Sequence, residues 1–139
     1  MRTIKFRAWD TERKKFLSHS SDVHIEINNP RIYKYNPLTK GYYDSATIII
    51  QQFTSLLDKN GKEIYEGDVF EVLGSDLSGK ITYKTNGVVV FEKGMYLVEF
   101  TDDLGYIRNF YLTTFLTKPK EVIGNIYENP HLLTPTENN

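Results

Sequence analysis

The side chains with most chemical potential in this sequence are His19, Asp22 and His24, with a third histidine, His131, far along the chain. An imidazole beside a carboxylate can hold a metal ion or move a proton. On a strand, residues five apart point to opposite faces, so His19 and His24 diverge and only Asp22 and His24 share a side. No His-x-x-x-His spacing joins them, and they read as surface or half-buried histidines; a hydrolase using Asp22, His24 or the Asp68 region requires a cleft that gathers those groups. Asp58-x-Asn60-Gly61 superficially matches a calcium loop, but such a loop has glycine sixth and a bidentate glutamate twelfth. Here glycine is fourth and the twelfth residue is Val69, so a hairpin turn is expected. Glu66-Gly67-Asp68 likewise reads as a turn into a strand rather than a carboxylate pair.

The chain has no cysteine, which excludes thiol nucleophiles, disulfides, iron–sulfur clusters and cysteine zinc sites. A phosphate-cradling glycine loop and a Gly-x-Ser-x-Gly elbow are also missing. No catalytic residue, cofactor or metal is assigned, and the expectation is a protein that is not an enzyme.

Recognition chemistry is better represented. Arg31-Ile32-Tyr33-Lys34-Tyr35 and Lys40-Gly41-Tyr42-Tyr43 interleave cations with rings. On a strand Arg31, Tyr33 and Tyr35 project to one face, on which unpaired bases can stack. Lys5, Arg7 and Trp9 extend such a surface, and Lys40 and Tyr42 complete it. Tyrosines on small sheets also border cores or cover oligomer interfaces, which is the competing reading.

The formal net charge of −1 conceals an uneven distribution. Residues 1–43 carry nine Lys and Arg against four Asp and Glu, a balance of +5, and the remainder carries eight against fourteen, a balance of −6. Such asymmetry marks either an anionic partner or a solvated basic surface. Residues 1–7 contain no apolar run, and no segment approaches the ~20 apolar residues that span a bilayer. The expected address is the cytoplasm, with no membrane partner.

The elements that must position these residues are strands. Ten tyrosines and eight phenylalanines against two methionines favour β structure in a chain of 139 residues, enough for one real core. Residues 3–9 alternate, with Ile4, Phe6 and Ala8 on one side and Lys5, Arg7 and Trp9 on the other. Further strands are expected at 23–27, 31–35 and 47–50, the last as a run buried on both faces. Two turns, at 58–61 and 66–68, flank Ile64 and Tyr65 and form the hinge of the chain. Short strands then follow at 69–73, 81–84, 88–91, 96–100 and 106–112, with Asn86-Gly87 expected as a two-residue hairpin. Residues 122–127 supply a closing strand, and Asn129-Pro130 caps at most one helical turn.

The stretches Ile4-Lys5-Phe6-Arg7-Ala8-Trp9-Asp10, Gln52-Phe53-Thr54 through Glu66-Gly67-Asp68-Val69, and Val122-Ile123-Gly124-Asn125-Ile126-Tyr127-Glu128-Asn129-Pro130 together resemble the YopX family of phage and prophage proteins. The sequence departs from the family pattern at Ser55, where glycine usually follows the threonine, at Leu57, where a polar residue is common, and at His131, which replaces an acidic residue. The resemblance implies a largely β protein of phage or prophage origin with no agreed catalytic residues to carry over.

The expected fold is all-β: a β-rich N-terminal part (1–62), an SH3-like small barrel (63–133) and a mobile tail (134–139), packed as one compact unit. The expected function is a non-enzymatic protein-binding or self-assembling β module, a homo-oligomer or the partner of a phage or host protein. The alternative is single-stranded nucleic-acid binding through Lys5, Arg7, Trp9, Arg31, Tyr33, Tyr35, Lys40 and Tyr42.

Overall fold

A computed structural model describes residues 3–17, 23–26, 31–36, 38–44 and 46–133. The expected tail at 134–139, along with His19 and Asp22, lies outside the described residues. The all-β expectation holds, for among the described residues twelve strands account for nearly all of the regular structure. The chain divides into two compact units, one at Ile4–Gln52 and the other from Phe53 onward with Thr3.

In the N-terminal unit β1 (Phe6–Asp10) lies between β2 (Lys15–Phe16) and residues 48–52 of β6 (Ile48–Leu57), antiparallel to both. A separate three-stranded sheet holds β3 (Val23–Glu26), β4 (Arg31–Asn36) and β5 (Gly41–Asp44) in sequence order. The expected alternation in β1 fails at its end. Ala8, Trp9 and Asp10 are all buried, whereas Ile4 and Phe6 are exposed. The cause is the turn that follows: Asp10 Oδ1 accepts the N–H groups of Glu12 and Arg13 at 3.0 and 3.1 Å, and Trp9 meets Phe16 edge-on at 4.9 Å. Of the expected doubly buried run, Ile48 is buried and Ile49 and Ile50 only half so.

The C-terminal unit starts with residues 53–57 of β6, paired with β7 (Glu63–Tyr65). Next comes a meander of β8 (Asp68–Ser75), β9 (Ile81–Glu92), β10 (Met95–Thr101) and β11 (Ile107–Tyr111). A single helical turn, α1 (Leu112–Phe115), leads to β12 (Val122–Asn125), which returns to pair with β8. The sheet order is β11-β10-β9-β8-β12, curled into a half-barrel. Inside the curl Phe70, Val72, Val89, Val98, Phe100, Leu112 and Phe115 form the core with Ile64 and Val122. Phe70 packs edge-on against Phe115 at 5.4 Å. Burying each of these side chains contributes about 1.5–3 kcal/mol.

Three of the connecting hairpins use one turn design. In Asp58–Lys62, Asp76–Lys80 and Asp102–Tyr106 the first and last residues bond through backbone N–H to carbonyl at 2.8–3.0 Å, and the glycine at the fourth position has φ of 78°, 85° and 85°. Each aspartate Oδ1 accepts the N–H groups two and four residues on, at 2.8–3.1 Å. Aspartate serves because its short carboxylate reaches its own backbone, and glycine because the left-handed φ excludes a Cβ at little strain.

Asn86-Gly87 is not a hairpin. It lies inside β9, and the two-residue turn falls instead at Lys93-Gly94, with φ of 50° and 80°. Gly87 is required by crowding, since a Cβ there would stand 2.7 Å from Val98 Cγ1, 3.1 Å from Val72 Cγ2 and 3.2 Å from Glu99 O. Gly87→Ala is expected to lower the unfolding free energy by about 1–3 kcal/mol in urea titration, because a packed sheet resists one added methyl. An unchanged midpoint would show that this approach is not tight.

Candidate functional site

Two of the residues singled out for chemistry, Asp58 and Asp68, are occupied by backbone and amide donors. Both carboxylate oxygens of Asp58 accept N–H groups: Oδ1 from Asn60 and Lys62, and Oδ2 from Val122 at 3.1 Å. Burial pulls the Asp58 pKa upward, but the N–H groups of Val122, Lys62 and Asn60 and the Lys62 ammonium outweigh it and leave the pKa lowered. Asp68, 1% exposed, accepts Tyr65 N–H at 2.9 Å and the Asn125 side-chain amide at 3.2 Å. Asn125 in turn accepts Tyr127 N–H at 2.9 Å, and its own N–H reaches Asn129 Oδ1 at 3.1 Å. Among the described residues no three His, Asp or Glu side chains converge as metal ligands.

The residues proposed as a basic aromatic surface are placed unevenly. Lys5 and Lys40 are exposed. Arg7 is half-buried, its Nε bonded to Gln51 Oε1 at 2.7 Å and its guanidinium 4.5 Å from the Phe16 ring. Trp9 is 5% exposed and belongs to the core, a correction to its expected place on the surface. The ring that sequence alternation put beside Lys5 and Arg7 is drawn inward by Phe16. Arg31, Tyr33 and Tyr35 are on β4, and the register sets Tyr42 of β5 opposite Tyr35.

Two surface features stand out in the C-terminal unit. One is an open groove of about 840 Å³ whose lining includes Glu71, Glu99, Asp102 and Asp103 against Lys84 and His131. Asn86 Nδ2 donates to Leu132 O at 2.8 Å and so holds the 3-10 turn Pro130–Leu133 against β9 at its side. The Arg108 guanidinium, 2.9 Å from Asp102 Oδ2, holds the Asp102 carboxyl below its usual range against the opposing effect of burial. An acidic lining of this kind repels a phosphate backbone.

The other feature is β11, an edge strand on which every residue is exposed. Ile107 is 73% exposed and Tyr111 60%, and Leu104 and Tyr106 at the preceding turn are exposed as well. The bond from Asp102 N to Tyr106 O fixes these two as a hydrogen-bonded pair. Alternation then makes Phe100/Arg108 and Val98/Phe110 the next such pairs, so the backbone N–H and C=O groups of Ile107 and Asn109 and the Tyr111 N–H face away from the sheet, while the Tyr111 carbonyl, at the N-cap of α1, takes the first helical bond. The strand was legible in the sequence, but its position was not. Apolar side chains on both faces are the usual mark of a central strand, and only the sheet order reveals an edge.

A family model described as YopX protein matches residues 5–134. The chain belongs to the YopX family. The crystal structure of protein EF1440 from Enterococcus faecalis is similar to it, with a TM-score of 0.61 and 30% sequence identity, covering 94% of this chain and 98% of that one. No curated protein matches the chain.

Two of the three stretches that carry the YopX resemblance meet in the C-terminal unit. Asp68 from the middle stretch bonds Asn125 from the last, and Ile126 N–H donates to Gly67 O at 2.9 Å. They are thus joined as a structural lock. The departure at Ser55 also has its reason. Ser55 has φ of 69°, the conformation a glycine adopts freely, and its hydroxyl bonds Thr3 O at 3.2 Å.

Because the Asp58 pKa lies below the unfolded value of about 3.9, its stabilisation is complete at neutral pH and is lost as pH falls through the folded value. Asp58→Asn is expected to cost about 1–3 kcal/mol at neutral pH, with the gap from the parent narrowing as pH falls below the unfolded value of about 3.9. Urea unfolding across that range measures it, and a gap independent of pH contradicts the assignment.

Proposed function

We propose that this YopX-family protein is a non-enzymatic binding or assembly module that takes an extended protein segment as an additional strand on the outer edge of β11. The observation that carries this reading is the unblocked edge. Natural sheets protect edges with lysine, proline, bulges or covering loops, and β11 has no lysine, no proline and no register shift against β10. Its one charge, Arg108, is drawn back onto Asp102 and over the Tyr106 ring at 5.5 Å. Backbone hydrogen bonds give such strand addition its affinity, and alternate side chains give its specificity. The scaffold is read as an SH3-like barrel, supported by four consecutive antiparallel strands, a helical turn and a fifth strand returning to the first. A phage or prophage protein acting in the bacterial cytoplasm fits this reading, and among the described residues no helix is long and apolar enough to cross a membrane.

The test uses an alternating Thr/Val/Tyr peptide and a copy methylated on alternate amide nitrogens. Amide shifts in nuclear magnetic resonance spectra are expected to cluster at Ile107, Asn109 and Tyr111, with the methylated peptide binding at least about tenfold more weakly. Shifts confined to another surface, or equal binding of both peptides, would refute strand addition here.

Nucleic-acid binding remains the second reading, favoured by the register that sets Tyr42 opposite Tyr35 on the β3-β4-β5 sheet. It predicts that labelled oligothymidine binds, that its affinity falls steeply with added salt, and that Tyr33→Ala with Tyr35→Ala weakens it. An oligonucleotide that produces no polarisation change at low salt removes this reading.

A further inference from the structure

Resting on the strand-addition reading of β11, we infer that the segment it takes is β11 of a second copy of this chain, paired antiparallel about a two-fold axis through Asn109. The groups facing outward are those of Ile107, Asn109 and Tyr111, spaced symmetrically about Asn109. With Asn109 opposite Asn109 of the second copy, Ile107 stands opposite Tyr111 and Tyr111 opposite Ile107. Each is an aromatic and β-branched cross-strand pair of the kind that stabilises sheets. The intervening positions set Arg108 against Phe110, so no like charges face each other. The two bonds between the facing Asn109 residues and one from each Tyr111 N–H to the facing Ile107 carbonyl then form at once, while the Tyr111 carbonyl stays in α1.

Any other antiparallel register leaves part of this short strand unpaired. A parallel pairing lacks the two-fold symmetry that closes a dimer. Acid–base balance agrees: strand β11 contributes one charge, and that charge is already neutralised by Asp102 within its own copy. The contact is small, which places association in roughly the micromolar range and makes it concentration-dependent.

The absence of native cysteine makes the register directly testable. A hydrogen-bonded antiparallel pair has Cα atoms about 5.5 Å apart, within the span a disulfide bridges. Two Ile107 positions in the same dimer lie about 14 Å apart, beyond it. Upon mild oxidation Asn109→Cys is expected to form a covalent dimer, whereas Ile107→Cys alone and Tyr111→Cys alone are not, and a mixture of those two is. Light scattering of the unmodified protein is expected to show mass rising towards twice the monomer with concentration, and Ile107→Lys to abolish the rise.

A dimer in which Asn109→Cys fails to cross-link overturns the register. A protein that stays monomeric to about 100 μM overturns the second copy as partner. In that case peptide-induced shifts at the β11 amides preserve the strand-addition reading, and their absence removes both.

Discussion

The Asp68 carboxylate is the interaction on which the C-terminal unit depends most. It is buried at the start of β8, where it receives the Tyr65 N–H from β7 and the Asn125 amide from β12. Those donors have no route to water, so loss of the acceptor would leave each unpaired at about 1–3 kcal/mol. Asp58 does the same at the other end of β12, holding the Val122 N–H. A four-residue strand has too few ladder bonds to secure itself. Two carboxylates, one at each end, fix β12 where its length does not.

How much of this the sequence disclosed depended on how local the cause was. The turn at Asp58 was legible because aspartate and glycine act on their own neighbours. Asn86-Gly87 misled because the same dipeptide answers two needs, positive φ in a hairpin and lack of a side chain under Val98 and Val72, and only the packed sheet tells them apart. Trp9 misled in a similar way. Alternation gave it a face, but Phe16 and the Asp10 turn determined whether that face was inside. The helical turn at Leu112–Phe115 carried no cap or charge signal, since Tyr111 precedes it without a side-chain cap bond.

The candidate site was less legible than the fold. The residues that attracted attention by type, Asp58 and Asp68, serve the backbone, and the exposed edge drew none because its residues look like core. The YopX stretches follow the same pattern, two of them meeting at Asp68 and Asn125 rather than around a cleft. Resemblance in sequence here marks what must be held together. The surface proposed for recognition lies elsewhere, on the outer edge of β11.

The repeated aspartate turn bears on the order in which the chain can acquire its shape. Each of the three closes within five residues, so its hairpin gains order at small loop-closure entropy. The Asp68–Asn125 contact spans 57 residues and must wait until the intervening hairpins have shortened the effective loop. Closing the turns at Asp58, Asp76 and Asp102 therefore costs less loop entropy than docking β12 through Asp68 and Asp58, whose contacts span 57 and 64 residues.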